Sequence, residues 1–248
     1  MILSRKLYNL KVMVIKKNAQ IKKLHQAIIS AFKKNANPLR AIEQQRYMKS
    51  TLPFYGLPAP EVKRIINGEL KNFPISNNLE YRKIIQYFFS QTKKREEWYA
   101  GLYIALKYKD FITKSNLNFY LNLILITQWW DIVDAVAINL VGKVMFFNHK
   151  FKQILNSWIK HKNMWIRRTA ILCQLKYKLN TNQDLLYKLI LMSAKEEEFF
   201  IRKAIGWALR EYSKTNPKSV KKFIKKNSSK LSSLSIREGM RRIKELRN

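Results

Sequence analysis

After Pro74 the apolar residues of this chain recur at helical spacing, not in the alternation of a strand. Three segments show it best: WYAGLYIALKYK (98–109), MWIRRTAILCQLKYK (164–178) and FFIRKAIGWALREYSK (199–214), each with an apolar face and a basic edge. No proline falls between Pro74 and Pro217, and six glycines are few for 248 residues, so little interrupts long helices. Cap signals mark helix starts. SNNLEYRK (76–83) offers Ser or Asn caps with Glu80 in the first turn, and TNQDLLYKLI opens on Thr181 and Asn182. In SLSIREGMRRIKEL, Ser235 precedes Glu238 by the three residues of a capping box. LPFYGLPAPEV (52–62) is the one clearly non-helical stretch of the body, and it runs into a proline-started helix. Residues 1–20 read as an added N-terminal helix or arm, followed by one body over 21–248.

The helical segments nearly repeat. Trp165 lies 35 residues after Trp130, Phe200 lies 35 after Trp165, and Trp98 lies 32 before Trp130. At that offset WIRR (165–168) sits over FIRK (200–203), and Tyr177 over Tyr212. A weak helical repeat of this period predicts an all-α fold, an α-solenoid of stacked helix pairs. Because the match is imperfect, a non-repetitive helical bundle stays open beside it.

Composition adds a partner to this picture. Hydrophobic residues make up 47% of the chain, enough for a packed core. The 49 Lys+Arg against 16 Asp+Glu give a formal net charge of +33, a field that attracts polyanions, nucleic acid first. Lysines outnumber arginines 35 to 14, and Asn and Ile are plentiful, so A/T-rich codon bias contributes to the charge; such bias should nonetheless raise both signs. Cys173, the only cysteine, lies in the apolar run ILCQL and reads as a buried small hydrophobe. His25, His149 and His161 show no ligand spacing, which argues against a zinc site. No apolar run approaches the ~20 residues of a membrane span, and the opening residues lack a signal peptide's continuous apolar stretch. A soluble, cytoplasmic protein is expected, nucleoid-associated if bacterial.

Familiar enzymatic signatures are missing: there is no GxGxxG, P-loop, HExxH or GxSxG. The chain has four aspartates, Asp110, Asp131, Asp134 and Asp184, and two of them sit in QWWDIVD (128–134). On a helix Trp130 and Asp134 are i and i+4 and share a face, while Asp131 turns about 60° from Asp134. Trp129 points elsewhere, toward the core. By residues alone this is either core packing with a helix-terminal acid or a functional pair. Arg167 and Arg168 follow Trp165, and Trp207 and Arg210 are i and i+3 on one face. An aromatic beside an arginine suits nucleic acid, but it also describes an ordinary solenoid helix with tryptophan in the core. KSVKKFIKK (218–226) is most simply a solvated face, with phosphate contact second. An acid in a cationic groove repels phosphate, so it needs a compensating role. Stabilising the positive charge that builds on a sugar as a purine departs is one such role.

Taken together, RYMKSTLPFYGLPAPEVKR, QWWDIVDAVA, MWIRRTAILCQLKYK, EFFIRKAIGWALREYSKTNP and LSSLSIREGMRRIK resemble the AlkD-type DNA alkylation repair proteins, over about residues 24–245. The resemblance implies a superhelical solenoid of HEAT-like repeats with a concave basic face. It implies a DNA glycosylase that excises cationic alkylpurines, N3-methyladenine and N7-methylguanine, from double-stranded DNA, with no metal or other cofactor and no tight base-flipping pocket. It also implies a monomer with no obligate protein partner. Matched residue by residue, it makes Trp130 and Asp134 catalytic and lets Trp207 complete an aromatic frame around the lesion. Arg168 and Arg210 become contacts to the DNA backbone, and Tyr47 stands near the same cleft. Residues 1–20, the LPAP of the loop, and Arg167 depart from the family pattern. A non-catalytic helical-repeat module binding damaged or branched nucleic acid is the alternative. A protein-binding solenoid whose charge is codon background stands behind it.

Overall fold

A computed structural model describes residues 2–148 and 150–245, with side chains for 17–148 and 150–243. His149 lies outside the described residues, as do the side chains of most of the expected N-terminal extension. Among the described residues there is no strand. No described helix is long and apolar enough to cross a membrane. The chain divides into two compact units, 1–111 and 112–248.

The first unit holds α1 (Ile2–Lys34), α2 (Pro38–Met48), α3 (Ala59–Leu70), α4 (Asn78–Ser90) and α5 (Arg95–Lys107). Residues 2–20 run without a break into the rest of α1. Helix α4 starts where its caps predict: Asn77 accepts from the Glu80 N–H at 3.0 Å, and Glu80 reaches back to the Ser76 N–H at 3.1 Å. Ile28, Phe32, Ile66, Tyr81, Ile84, Ile85 and Phe88 are fully buried between α1, α3, α4 and α5. The proline-rich loop before α3 is fastened by an acid. Glu96, fully buried, accepts from the backbone N–H groups of Tyr55, Gly56 and Leu57 at 2.8 to 3.2 Å. Gly56 is required there: its φ is +84°, and a Cβ would come within 2.0 Å of the Asn37 carbonyl oxygen.

The second unit holds α6 (Leu117–Thr127), α7 (Trp130–Val136), α8 (Gly142–Phe146), α9 (Phe151–Trp158), α10 (Met164–Leu172), α11 (Gln183–Met192), α12 (Phe199–Tyr212), α13 (Pro217–Lys226) and α14 (Ser233–Glu245). A π-helical segment, Ala137–Val141, joins α7 to α8 as one rod. Hydrogen bonds between residues one repeat apart show the expected period directly. Asn163 donates to Gln128 at 3.0 Å, Tyr177 to the Gly142 carbonyl at 2.7 Å, Ser219 to Gln183 at 2.6 Å and Lys203 to Glu238 at 2.9 Å. These partners are 35 or 36 positions apart. A residue that touches its counterpart in the next repeat is the mark of stacked helix pairs, and it favours the solenoid over the bundle. Trp165 and Phe200, 35 positions apart, meet as tilted rings with centroids 5.0 Å apart, and Trp129, not Trp130, joins them at 6.3 and 5.6 Å.

Two sequence expectations need correction. The segment 164–178 is not one helix: α10 stops at Leu172, and the Cys173 carbonyl that follows lies so close to Gly142 that a Cβ there would come within 2.5 Å of it. Nor does Glu238 complete a capping box. Helix α14 begins at Ser233, two residues before the expected cap, so Ser232 accepts from the Ser235 N–H at 3.1 Å and Ser235 donates instead to the Arg202 carbonyl at 2.9 Å.

Helices α12 and α14 approach closely at Gly206, where a Cβ would lie 2.5 Å from the Glu238 Cβ and 3.1 Å from the Ser235 carbonyl oxygen. Neither atom belongs to a flexible side-chain end. Gly206→Ala should therefore force the helices apart and cost about 1–3 kcal/mol, read as a lowered urea midpoint. An unchanged midpoint would mean the helices separate freely.

Candidate nucleic-acid site

Helix α6 ends at Gln128, whose left-handed backbone (φ 39°) reverses the chain. Trp129 follows in extended conformation as the N-cap of α7, which leaves Trp130 as the first helical residue and Asp134 one turn below it. The facing pair deduced from sequence is thus present, though it stands at the very start of a short helix. Trp130 and Trp129 are both half-buried, and Asp134 is buried. Asp131 sits in the first turn of α7, where a carboxylate complements the helix dipole.

Arg168 of α10 meets Asp134 in a two-pronged pair: Nε donates to Oδ1 and Nη2 to Oδ2, each at 2.7 Å. The third nitrogen, Nη1, donates to the Phe200 carbonyl at the start of α12, and the guanidinium lies 5.9 Å from the Phe200 ring centroid. Only 5% of the Arg168 side chain is exposed. The structure places Arg168, expected from sequence at the DNA backbone, inside the three-helix stack. With every nitrogen group engaged internally, Arg168 serves as a clasp joining α7, α10 and α12.

Arg167, the charge that departs from the family pattern, is also consumed internally. It pairs with Glu196 at 2.7 Å and Glu198 at 3.1 Å and donates to the carbonyls of His161 and Lys162. Trp207 lies half-buried on α12, and Arg210 on the same face keeps part of its side chain in solvent. Helix α10 packs against both α7 and α12, so one stack of three helices carries Trp130, Asp134, Arg168, Trp207 and Arg210. Tyr47 belongs to the other unit. It is 77% exposed on α2 and lines an apolar hollow of about 340 Å³ with Phe54, Tyr99 and Tyr103.

Two comparisons with known proteins bear on this stack. The family model of the DNA alkylation repair enzyme matches residues 28–243. The chain belongs to that family. It is also similar to a solved structure described as a predicted DNA alkylation repair enzyme from Enterococcus faecalis, at 35% identity and a TM-score of 0.74, over 83% of this chain and 95% of that one. No curated protein matches it.

In this alkylation repair family member, burial pushes the Asp134 carboxyl above its ordinary value and Asp131 adds to the rise, while hydrogen bonds and charge from Arg168 pull it down. The net direction is upward. Burial likewise raises the Cys173 thiol to about 12, in keeping with an inert core residue. Sequence reasoning missed Glu96 and read Glu238 only as a cap residue, though both hold partners across the fold. The signal toward these roles was rarity, sixteen acids against 49 bases.

Proposed function

We propose that the protein is a monofunctional alkylpurine DNA glycosylase. It would hydrolyse the N-glycosidic bond of cationic alkylated purines, N3-methyladenine and N7-methylguanine, in double-stranded DNA as the first step of base excision repair. The observation that carries this reading is the Asp134 carboxylate, buried and rigidly oriented by Arg168 one turn from Trp130, in a strongly basic member of an alkylation repair family. As the C1′–N bond breaks, its electron pair neutralises the departing purine and positive charge develops on the sugar. A fixed carboxylate stabilises that charge without reorganising. Water then adds to C1′ and loses a proton, leaving free base and an abasic site. Trp130 and Trp207 would turn their negative ring faces toward the cationic nucleotide. Arg210 in the second unit and Tyr47 in the first would each contact the DNA. Because the alkylated base already carries its activating charge, the step needs no cofactor and no tight pocket. The protein would act as a monomer with no obligate protein partner, in the cytoplasm with chromosomal DNA; residues 1–20 would extend a single catalytic body over 21–248.

Incubation with methylated duplex DNA, with released bases separated by chromatography, tests the reading. Absence of N3-methyladenine and N7-methylguanine from the supernatant would refute it. The ionised carboxylate is the active form and its carboxyl is raised, so the rate should fall on the acid side at a pH above the ordinary aspartate value of 3.8. Asp131→Asn removes a like charge and should shift that acid limb downward; a pH–rate profile of both proteins measures it.

A second reading has one specific observation in its favour. Both Asp134 oxygens are engaged by Arg168, as in a purely structural ion pair. A non-catalytic module binding damaged or branched nucleic acid would then bind DNA and release no base.

A further inference from the structure

Glu238 on α14 pairs with Arg210, which the proposed reading assigns to DNA, and with Lys203 on the same helix as Arg210; the inference below rests on that reading. Its Oε1 accepts from Lys203 Nζ at 2.9 Å and its Oε2 from Arg210 Nη1 at 2.7 Å. Lys203, Trp207 and Arg210 stand at i, i+4 and i+7 of α12, so they share one face. Gly206 sits in the same stretch, and its missing side chain lets the Glu238 Cβ in close. By charge alone this carboxylate works against DNA, since it lowers the positive potential beside two phosphate-seeking groups.

The geometry offers a compensation. The carboxylate is the inner member of the trio, with 16% of its side chain exposed against 28% for Arg210 and 38% for Lys203. It therefore holds the two cations from beneath while their outer parts meet solvent. Arg210 uses only Nη1 for this bond among the described residues, and its other guanidinium nitrogens remain available for a phosphate. Long basic side chains lose rotamer freedom when they grip a phosphate, and a pre-formed ion pair removes much of that loss beforehand. Hydrogen bonds and charge from Lys203 and Arg210 hold the Glu238 carboxyl below its ordinary range, so it stays ionised under working conditions.

We propose that Glu238 is a positioning residue that pre-orders Lys203 and Arg210 on either side of Trp207, so that α12 meets the DNA backbone with both cations already in place. The sign of one substitution separates this from a simple field effect. Glu238→Gln keeps the size and makes the chain more positive, so field alone predicts tighter binding to DNA. Positioning predicts the reverse: affinity for a short undamaged duplex falls about five- to tenfold, and the slope of log K against log salt shrinks by about one as a phosphate contact is lost. In an Arg210→Gln background the same change should cost little more. Glu238→Asp, which keeps the charge and shortens the reach, should also weaken binding. Tighter or unchanged binding by Glu238→Gln, or full additivity with Arg210→Gln, overturns the proposal. Since undamaged duplex is the probe, Glu238 is tested whether or not the protein releases a base. Base release by the unaltered protein tests the glycosylase reading by itself.

Discussion

Asp134→Asn should slow release of methylated purine from alkylated duplex DNA by at least about a hundredfold while binding to the same duplex survives. Asparagine keeps the shape and one acceptor but removes the charge that would face the developing cation. The variant also leaves the buried Arg168 guanidinium beside a neutral partner, so some loss of stability accompanies the loss of rate. Two controls separate these effects. Rates are compared well below each unfolding midpoint, and the double variant Asp134→Asn with Arg168→Gln restores a neutral pair. That double variant should regain stability and stay inactive. Base release by Asp134→Asn at the parent rate would sink the catalytic assignment and leave the pair as scaffolding.

Arg168→Gln alone should be the most damaging single change to the fold of the second unit, costing about 3–5 kcal/mol by urea denaturation. The cost arises because Asp134 would keep its buried position and lose its counter-charge, while the Phe200 carbonyl loses a donor. The protein can soften the penalty by protonating Asp134, which would also remove the proposed catalytic charge. Arg168→Lys should not rescue it, since one ammonium cannot span both carboxylate oxygens and the carbonyl. A loss below about 1 kcal/mol would mean that the pair behaves like an exposed salt bridge.

Much of this molecule was legible along the chain because it depends on local chemistry. Helical periodicity placed α5 and α12 to within a few residues, Asn77 and Asn182 cap the helices they precede, and Lys-rich α13 buries Val220, Phe223 and Ile224. The 35-residue offset marked equivalent positions such as Trp165 and Phe200, and stacked repeats set these against each other. The pairing of Trp130 with Asp134 on one turn of α7 followed from helix geometry alone. What a side chain does with its charge was another matter. Arg167 and Arg168 are adjacent and chemically identical in the sequence, yet one closes on two glutamates and the other on Asp134. Glu238 fits a capping box by spacing, but α14 begins earlier and turns it toward α12. In a chain of net charge +33, sequence determined the helices, their repeat and the excess of positive charge. Only the tertiary structure decided which cations remain for a partner, because an ion pair forms between groups about thirty residues apart whose meeting depends on how whole helices pack.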